Sequence, residues 1–268
     1  MAKQPVIMGV LNITPDSFSD GGLFFDSKSA ITQAETMVEE GAGIIDIGGE
    51  STRPGAPEVS IEDELKRVIP VIEALSGNIN VPISIDTSKP IVMEKAFNAG
   101  ASIINDVNAL RSEGALQMAA SLQADVCLMH MQGNPRTMQK NPTYNNIVSD
   151  VKGFFEERIE ACNAIGIKLN AITLDPGFGF GKNLGHNIAL LKNLSEFHEF
   201  GVLILAGLSR KSIIGSLLGG KDVESRMIGS VTAALIAIEN GADIIRVHDV
   251  AETKDALTVW HQIKNFRE

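Results

Sequence analysis

Two basic side chains end the last apolar run of the sequence. Arg246 and His248 are two residues apart in the segment IIRVHDV, so in a β-strand both side chains point to the same side of the sheet. Two potential cations that converge in this way predict an anion as ligand. A buried ion pair with Asp243 or Asp249 is the alternative, because it would satisfy the same charges without a ligand.

A second basic group lies in LSRKSIIG, residues 208–215. Arg210 and Lys211 follow an apolar run, and Ser212 opens a segment of helical period. A helix N-terminus at the surface attracts an anion by only about 0.3–1 kcal/mol, so the two cations would supply most of the attraction. We therefore predict a carboxylate site here, with a solvated basic loop as the alternative.

Acidic and amide side chains end three other apolar runs. Asp86 ends ISID, Asn105 belongs to SIIND, and Asp175 ends AITLD. A carboxylate accepts two parallel hydrogen bonds from an amino-amidine edge, as it does from arginine, so these groups can bind a flat heterocycle. They can equally hold a metal ion, although no HxxE or HxH spacing accompanies them.

Glycine-rich loops follow several of the same runs. DPGFGFGK, residues 175–182, lacks the GxxxxGK[ST] spacing of a phosphate loop, and its leading aspartate would repel a phosphate. We interpret it as a loop that presents Phe178 or Phe180, either to stack on a ligand or to cap the barrel. NITPDSFSDGG (12–22) and GGESTRPGA (48–56) are loops of a composition suited to move over a site.

The elements that position these residues are short runs rich in Val, Ile and Leu. The runs are continuous rather than alternating, as expected of parallel strands buried on both faces. They cover residues 6–10, 43–47, 81–85, 102–104, 126–129, 171–174, 202–205 and 244–247. Amphipathic segments of helical period lie between them. Several of these end at a glycine in a helix-stop position, namely Gly41, Gly100, Gly166 and Gly241.

Strands that alternate with helices imply a parallel sheet. Eight such units in about 260 residues predict an α/β protein with a closed (β/α)8 TIM barrel, formed as a single domain over residues 1–268. An open doubly wound sheet is the alternative, but the GxGxxG pattern is absent after the first strand.

Polar residues lie in or just after the carboxyl end of every one of the eight runs. They are Asn12, Asp46 with Glu50, Asp86, Asn105 with Asp106, His130, Asp175, Ser209 with Arg210 and Lys211, and Arg246 with His248. A barrel brings all its strand ends to one face, which is where barrel enzymes carry their active sites. We therefore predict an enzyme whose site gathers these side chains.

The overall composition excludes several other classes of protein. A net charge of −10 argues against nucleic acid or an anionic membrane surface as the main partner. The two cysteines, Cys127 and Cys162, form no disulfide framework and are expected in the core.

No apolar run approaches the ~20 residues of a membrane span, and the first apolar stretch is too short for a signal sequence. We therefore expect a cytoplasmic protein.

Taken in this order, the segments resemble the dihydropteroate synthase family of pterin-binding TIM barrels, from residue 7 to about residue 250. The segments are NITPDSFSDGG, GGESTRPGA, SIDTSKP, INDV, MHMQGNPRTMQ, DPGFGFGK, LSRKS and RVHDV. The family joins 6-hydroxymethyl-7,8-dihydropterin diphosphate to p-aminobenzoate in folate biosynthesis and releases diphosphate. The resemblance also implies Mg²⁺ as cofactor, competition by sulfonamides and a homodimer.

The resemblance further implies roles for individual residues. The pterin ring would contact Asp86, Asn105, Asp175 and Lys211. The diphosphate would contact Asn12, Arg53, Arg246 and His248, with Asn12 as the Mg²⁺ ligand. The p-aminobenzoate would contact Thr52, Phe180, Arg210 and Ser212. Asp86, Asp175, Lys211 and Arg246 would act in catalysis.

Two other functions share part of this pattern. A pterin-dependent methyltransferase of related barrel type would use the same aspartate and asparagine side chains on the pterin but transfer a methyl group to a corrinoid partner. The basic segments LSRKS and RVHDV and the STRPG loop favour a diphosphate leaving group instead. A non-catalytic pterin-binding subunit would bind the ligand without turnover.

Overall fold

The computed structural model describes residues 4–13, 23–51, 55–133, 137–139 and 141–266. Within them, eight parallel strands pair in chain order, and the last pairs with the first, so the sheet closes into a barrel. The strands are β1 (Val6–Asn12), β2 (Ile44–Gly48), β3 (Ile83–Asp86), β4 (Ile103–Asp106), β5 (Asp125–Met129), β6 (Ile172–Asp175), β7 (Leu203–Ala206) and β8 (Ile244–Val247). The predicted (β/α)8 barrel is confirmed, whereas a single domain over residues 1–268 stays a prediction.

Helices alternate with these strands and surround the barrel. They are α1 (Leu23–Glu39), α2 (Ile61–Ser76), α3 (Pro90–Ala99), α4 (Ala115–Ser121), α5 (Ile147–Ala164), α6 (Leu184–Lys192), α7 (Ser212–Leu217), α8 (Met227–Glu239) and α9 (Val250–Asn265). None of the helices in the described ranges is long and apolar enough to cross a membrane. The predicted cytoplasmic location stays a prediction.

The local sequence sets the ends of the helices. Ser60 caps α2 by accepting the backbone N–H of Asp63, and Asn146 caps α5 by accepting two backbone N–H groups. The four predicted helix stops all have positive φ angles, which favour glycine. These angles are 107° at Gly41, 121° at Gly100, 92° at Gly166 and 106° at Gly241.

The barrel interior has an apolar floor below a polar mouth. The floor consists of buried side chains that point inward from five strands, namely Met8, Ile44, Cys127, Leu205 and Ile244. Because side chains alternate along a strand, the residue two positions further on faces the same way. Ile44 is thus followed inside the barrel by Asp46, and Ile244 by Arg246. The floor therefore fixes the height at which the polar side chains of the mouth lie.

A larger apolar layer fills the space between the strands and the surrounding helices. It includes the fully buried rings of Phe155, Phe178 and Phe197. Cys162 lies in this layer and Cys127 in the floor, so both cysteines are buried and free, as expected.

Candidate active site

A buried network of charges lies at the centre of the mouth. Arg246 Nε donates a hydrogen bond to Asp46 Oδ2 at 2.6 Å, and a terminal nitrogen of the same guanidinium donates to Asp86 Oδ2 at 2.8 Å. Asn105 Nδ2 donates to the same Asp46 oxygen at 3.0 Å. The network therefore connects strands β2, β3, β4 and β8 across the barrel.

The two aspartates nearest to Arg246 in sequence, one before it and one after it, are not its partners. Asp243 Oδ2 accepts the backbone N–H of Ile204 at 2.9 Å, and Asp249 accepts two hydrogen bonds from Arg210. The alternative of an ion pair with Asp243 or Asp249 is therefore wrong. Arg246 is nevertheless held by buried carboxylates, which come from distant strands.

Carboxylates outnumber cations in the centre of the mouth. Burial raises the pKa of Asp86 above its usual range, although the positive charge of Arg246 acts to lower it. Burial likewise raises the pKa of Asp175, although the positive charge of Lys211 acts to lower it. Burial alone would lower the pKa of the Arg246 guanidinium. The negative charges of Asp46 and Asp86 outweigh this effect and raise the pKa. The second buried oxygen of Asp46 has no hydrogen-bond partner among the described residues. An excess of acceptors of this kind is suited to a ligand rich in N–H groups or positive charge.

Asp175 and Lys211 form a second group at the ends of β6 and β7. Asp175 Oδ1 accepts the backbone N–H of Gly177 at 2.7 Å, and Lys211 Nζ donates to the carbonyl of Phe178 at 2.8 Å. The same ammonium lies 4.6 Å from the centroid of the Phe180 ring. Burial lowers the pKa of Lys211 to about 8, and Asp175 opposes this shift.

The two phenylalanines of the DPGFGFGK loop have different environments. Phe178 is fully buried in the layer under the helices, so its side chain belongs to the core. Phe180 packs with Met129, Met131 and Met138 at the rim of the barrel, beside Lys211. Of the two rings, Phe180 is the one placed to contact a ligand.

Two glycines lie close to the charged side chains of the mouth. A side-chain carbon at Gly207 would lie 3.6 Å from Lys211 Nζ and 3.7 Å from Arg246 Cβ. A carbon at Gly48 would lie 3.7 Å from Asn12 Oδ1 and 3.8 Å from Asp86 Oδ2. Lys211 and Arg246 therefore both lie beside Gly207, and Asn12 and Asp86 both lie beside Gly48.

The sequence predicts His248 as a potential cation, but its environment in the structure keeps the ring uncharged. Burial, together with the charges of Arg246 and Arg210, lowers the pKa of His248 to about 4. Its ring is therefore neutral at pH 7. Its Nδ1 lies 3.0 Å from Ser209 Oγ. His248 can bind an anion through a ring N–H, but it adds no charge.

Arg210 is held at the rim by several contacts. Its backbone has a φ of 58°, and the Ser230 hydroxyl accepts its N–H at 2.9 Å. Its guanidinium donates two hydrogen bonds to Asp249, one of them from Nε at 3.1 Å. Arg210 is therefore ion-paired, and its side chain remains 33% exposed. A carboxylate ligand would have to use the remaining N–H groups of the guanidinium.

The other predicted site residues are placed as follows. Asn12 ends β1 at the mouth, and Ser212 is exposed at the first position of the short helix α7. Thr52 and Arg53 lie outside the described residues.

Asp46 is a described residue of this site for which the sequence analysis predicts a place at the mouth but no ligand or catalytic role. It is fully buried and accepts from both Arg246 and Asn105. Its position could have identified Asp46 as a site residue, because it lies two residues after Ile44 and therefore on the inner face of β2.

No cluster of three or more His, Cys, Asp or Glu side chains suitable for a metal ion occurs in the described part of the chain. Mg²⁺ commonly keeps several waters and binds through one or two protein oxygens together with substrate phosphates. The oxygen of Asn12, beside Asp86, fits a cation that arrives with a phosphorylated ligand.

Comparison with known proteins places the chain among close relatives. A family model described as "Pterin binding enzyme" matches residues 8–248. The dihydropteroate synthase of Haemophilus influenzae is 55% identical over 97% of this chain and 94% of its own. A Yersinia pestis dihydropteroate synthase with a sulfonamide drug complex has a TM-score of 0.93 at 51% identity, covering 98% of this chain and 95% of its own. A Xanthomonas albilineans dihydropteroate synthase in complex with 7,8-dihydropteroate has a TM-score of 0.90 at 47% identity, with the same coverage of 98% and 95%.

Proposed function

The chain belongs to the dihydropteroate synthase family, and we propose that its barrel mouth joins 6-hydroxymethyl-7,8-dihydropterin diphosphate to p-aminobenzoate. The observation that supports this most strongly is the uneven charge of the mouth. Three buried carboxylates, Asp46, Asp86 and Asp175, lie in the mouth together with Arg246, which binds two of them, and with the N–H donor His248. A ligand with a cationic ring and an anionic leaving group matches this combination of charges.

The acidic side of the mouth is assigned to the pterin ring. Asp175 uses one oxygen for the Gly177 N–H, which leaves its other oxygen for the amino and N–H edge of the ring. Asn105 donates its amide N–H to Asp46, so its amide oxygen is oriented to accept from the ring. Asp86 faces the remaining ring nitrogens, and the Lys211 ammonium lies on the carbonyl side of the ring.

The reaction is an SN1-like substitution at the methylene carbon of the pterin. The carbon–oxygen bond breaks, and its electron pair leaves with the diphosphate. The positive charge that remains is delocalised over the pterin, where the carboxylates of Asp86 and Asp175 stabilise it. The neutral amine of p-aminobenzoate then forms the carbon–nitrogen bond and loses a proton to solvent. No strong base is required.

The basic side of the mouth is assigned to the diphosphate. Arg246, His248 and Asn12 lie on this side, and Arg53 is expected to join them from outside the described residues. Asn12 would hold Mg²⁺ through its amide oxygen, and the bound ion would neutralise charge on the leaving diphosphate. Because Arg246 also binds Asp46 and Asp86, one guanidinium connects the leaving-group side to the ring side.

The p-aminobenzoate subsite is assigned to the rim around α7. Phe180 offers a ring face beside the entrance, and Arg210 offers the N–H groups that Asp249 leaves unused. Ser212 at the start of α7 and Thr52 complete the predicted set. Since α7 has only six residues, Arg210 is expected to contribute more to carboxylate binding than the helix end.

The proposal is tested by incubating purified protein with the pterin diphosphate, p-aminobenzoate and Mg²⁺. We expect 7,8-dihydropteroate and diphosphate in equal amounts, loss of product after chelation with EDTA, and competition between sulfonamides and p-aminobenzoate. Pterin binding without product would favour a non-catalytic subunit. Methyl transfer to a corrinoid would favour the methyltransferase.

We also propose that the protein is a homodimer that uses the outer faces of α8 and α9. These neighbouring helices carry exposed apolar side chains, with Ile228 75% and Ile263 73% exposed. Exposed apolar patches on a globular protein often mark a protein interface.

The variant Ile263→Glu is expected to dissociate the dimer, because it places a charge in an apolar interface. Ile91→Glu is the matched control, since Ile91 is an exposed isoleucine on α3, away from this patch. Light scattering after size-exclusion chromatography gives the mass of each species. A monomeric parent protein, or dissociation by both variants alike, would contradict the assignment.

A further inference from the structure

One buried lysine has no part in the proposed reaction. Lys182 ends the DPGFGFGK loop, and only 3% of its surface is exposed. Its Nζ lies 2.9 Å from His130 Nδ1, 3.0 Å from the carbonyls of Gly177 and Phe180, and 3.2 Å from the carbonyl of His130. Lysine is rarely buried to this extent without a partner, and here every direct partner is a neutral acceptor.

The arrangement is unfavourable for the charge of the lysine. Burial lowers the pKa of Lys182 to about 7, although Asp175 opposes the shift. Burial also lowers the pKa of His130 to about 2, so its ring is neutral and its Nδ1 accepts the hydrogen bond. The buried amine therefore carries a desolvation cost that only neutral acceptors offset, and this points to a role in holding those acceptors.

The backbone of the loop lies directly against the end of β5. Gly177 has a φ of 72°, and a side-chain carbon there would lie only 2.0 Å from the carbonyl oxygen of His130. The amide oxygen of Asn187 accepts the backbone N–H of Gly179 at 2.8 Å and holds the loop from the side of α6. The loop is thus fixed from both sides.

Three carbonyls of this loop point in two directions. Those of Gly177 and Phe180 face Lys182, whereas that of Phe178, between them, accepts from Lys211. We infer that Lys182 is a positioning residue for the pterin pocket. By holding the two inward carbonyls, it turns the Phe178 carbonyl toward Lys211 and the Gly177 N–H toward Asp175. The inference rests on the proposed function, in which Lys211 and Asp175 contact the pterin.

The test is the variant Lys182→Met, which keeps most of the side-chain volume and removes the donor. Binding of 6-hydroxymethylpterin and, separately, of inorganic diphosphate with Mg²⁺ is measured by calorimetry. We expect the pterin to bind roughly 10-fold more weakly, because a small displacement of Lys211 and Asp175 misaligns both contacts. Diphosphate should bind as to the parent protein, since the hydrogen bonds of Arg246 and His248 go to Asp46, Asp86 and Ser209 rather than to this loop.

Lys152→Met is the matched control. Lys152 binds Glu196 and Glu199 at the outer surface, and its loss should leave both affinities unchanged. A purely structural role of Lys182 would reduce the folded fraction but not the pterin affinity of the folded protein. Unchanged pterin affinity, or equal weakening of pterin and diphosphate, would overturn the inference. Failure of the parent protein to bind pterin would instead overturn the proposed function.

If Lys182→Met does not fold, Asn187→Ala decides the question. This variant keeps the Lys182 side chain, and it removes both the acceptor of the Gly179 N–H and the donor to the Lys182 carbonyl. We expect weaker pterin binding and unchanged diphosphate binding. Pterin affinity equal to that of the parent protein would show that the loop geometry does not control the pocket.

Discussion

Replacing Arg246 by methionine is expected to lower the free energy of unfolding by about 3–5 kcal/mol, because it leaves two buried carboxylates without their cation. Against a total stability of about 5–15 kcal/mol for a protein of ordinary stability, this is a large loss. Asp46 is fully buried and Asp86 nearly so, and Arg246 itself is 18% exposed. Solvent screening therefore reduces the effect little. Urea denaturation of the parent and variant proteins measures the difference.

The stability lost in Arg246→Met should increase as the pH rises. Burial already raises the pKa of Asp86 in the folded state, and removing Arg246 raises it further, because the guanidinium lowers it. An acid whose pKa is higher in the folded state than in the unfolded state destabilises the fold as pH rises through that interval. The variant should therefore lose more stability at about pH 8 than at about pH 5.5. The opposite trend would show that Arg246 does not compensate these carboxylates.

Lys66→Met is the matched control for stability. Lys66 lies 3.8 Å from Asp63 on the surface of α2, and both side chains are more than half exposed, so its removal should change stability little at either pH. Arg246→Met should also weaken binding of the diphosphate-bearing pterin far more than binding of a pterin without diphosphate. Equal weakening of the two ligands would remove Arg246 from the diphosphate site.

The strands could be predicted because burial on both faces leaves a simple pattern. No strand boundary differs from the prediction by more than two residues. At the carboxyl ends, β3, β4 and β6 extend past the predicted limits to Asp86, Asp106 and Asp175. The sequence suggests that a strand stops at its first polar residue. In a barrel, however, the mouth buries polar side chains that still belong to the strand.

Neighbouring polar residues at one strand end can face opposite sides, and this limits prediction of the site. Asn105 faces the barrel interior and donates to Asp46. Asp106, the next residue, accepts the Ser88 hydroxyl and the backbone N–H groups of Asn108 and Leu110, so it stabilises a turn. The alternation of side chains distinguishes the two once the inward position of one residue is known.

The partners of the charged residues could not be predicted from the sequence. Arg246 binds Asp46, which is 200 residues away, whereas the sequence suggested Asp243 and Asp249 by proximity. The neutral state of His248 and the burial of Lys182 could not be predicted from the sequence for the same reason. Each depends on groups from other strands and loops, and only closure of the barrel brings these groups together.

Replacing Asp175 by asparagine is expected to weaken pterin binding by about 1.5–3 kcal/mol, roughly 10- to 150-fold. The amide oxygen of asparagine can still accept the Gly177 N–H, as Asp175 Oδ1 does at 2.7 Å, so the loop should keep its shape. The NH₂ group would then face the N–H edge of the ring, where donor meets donor. The charge that stabilises the pterin cation is also lost, so kcat should fall together with affinity.

Calorimetry with 6-hydroxymethylpterin measures this affinity, and Asp125→Asn is the matched control. Asp125 is an exposed aspartate at the start of β5, at the opposite end of the barrel from the mouth. This control should therefore change neither affinity nor turnover.

The Asp175 carboxylate also raises the pKa of Lys211, which burial lowers to about 8. Loss of this carboxylate should therefore move the pKa of Lys211 further below about 8. Pterin binding by Asp175→Asn should then weaken more steeply than that of the parent protein as pH rises toward 8, since Lys211 loses its charge earlier. Unchanged affinity in Asp175→Asn would remove this carboxylate from the pterin site, whatever the effect on turnover.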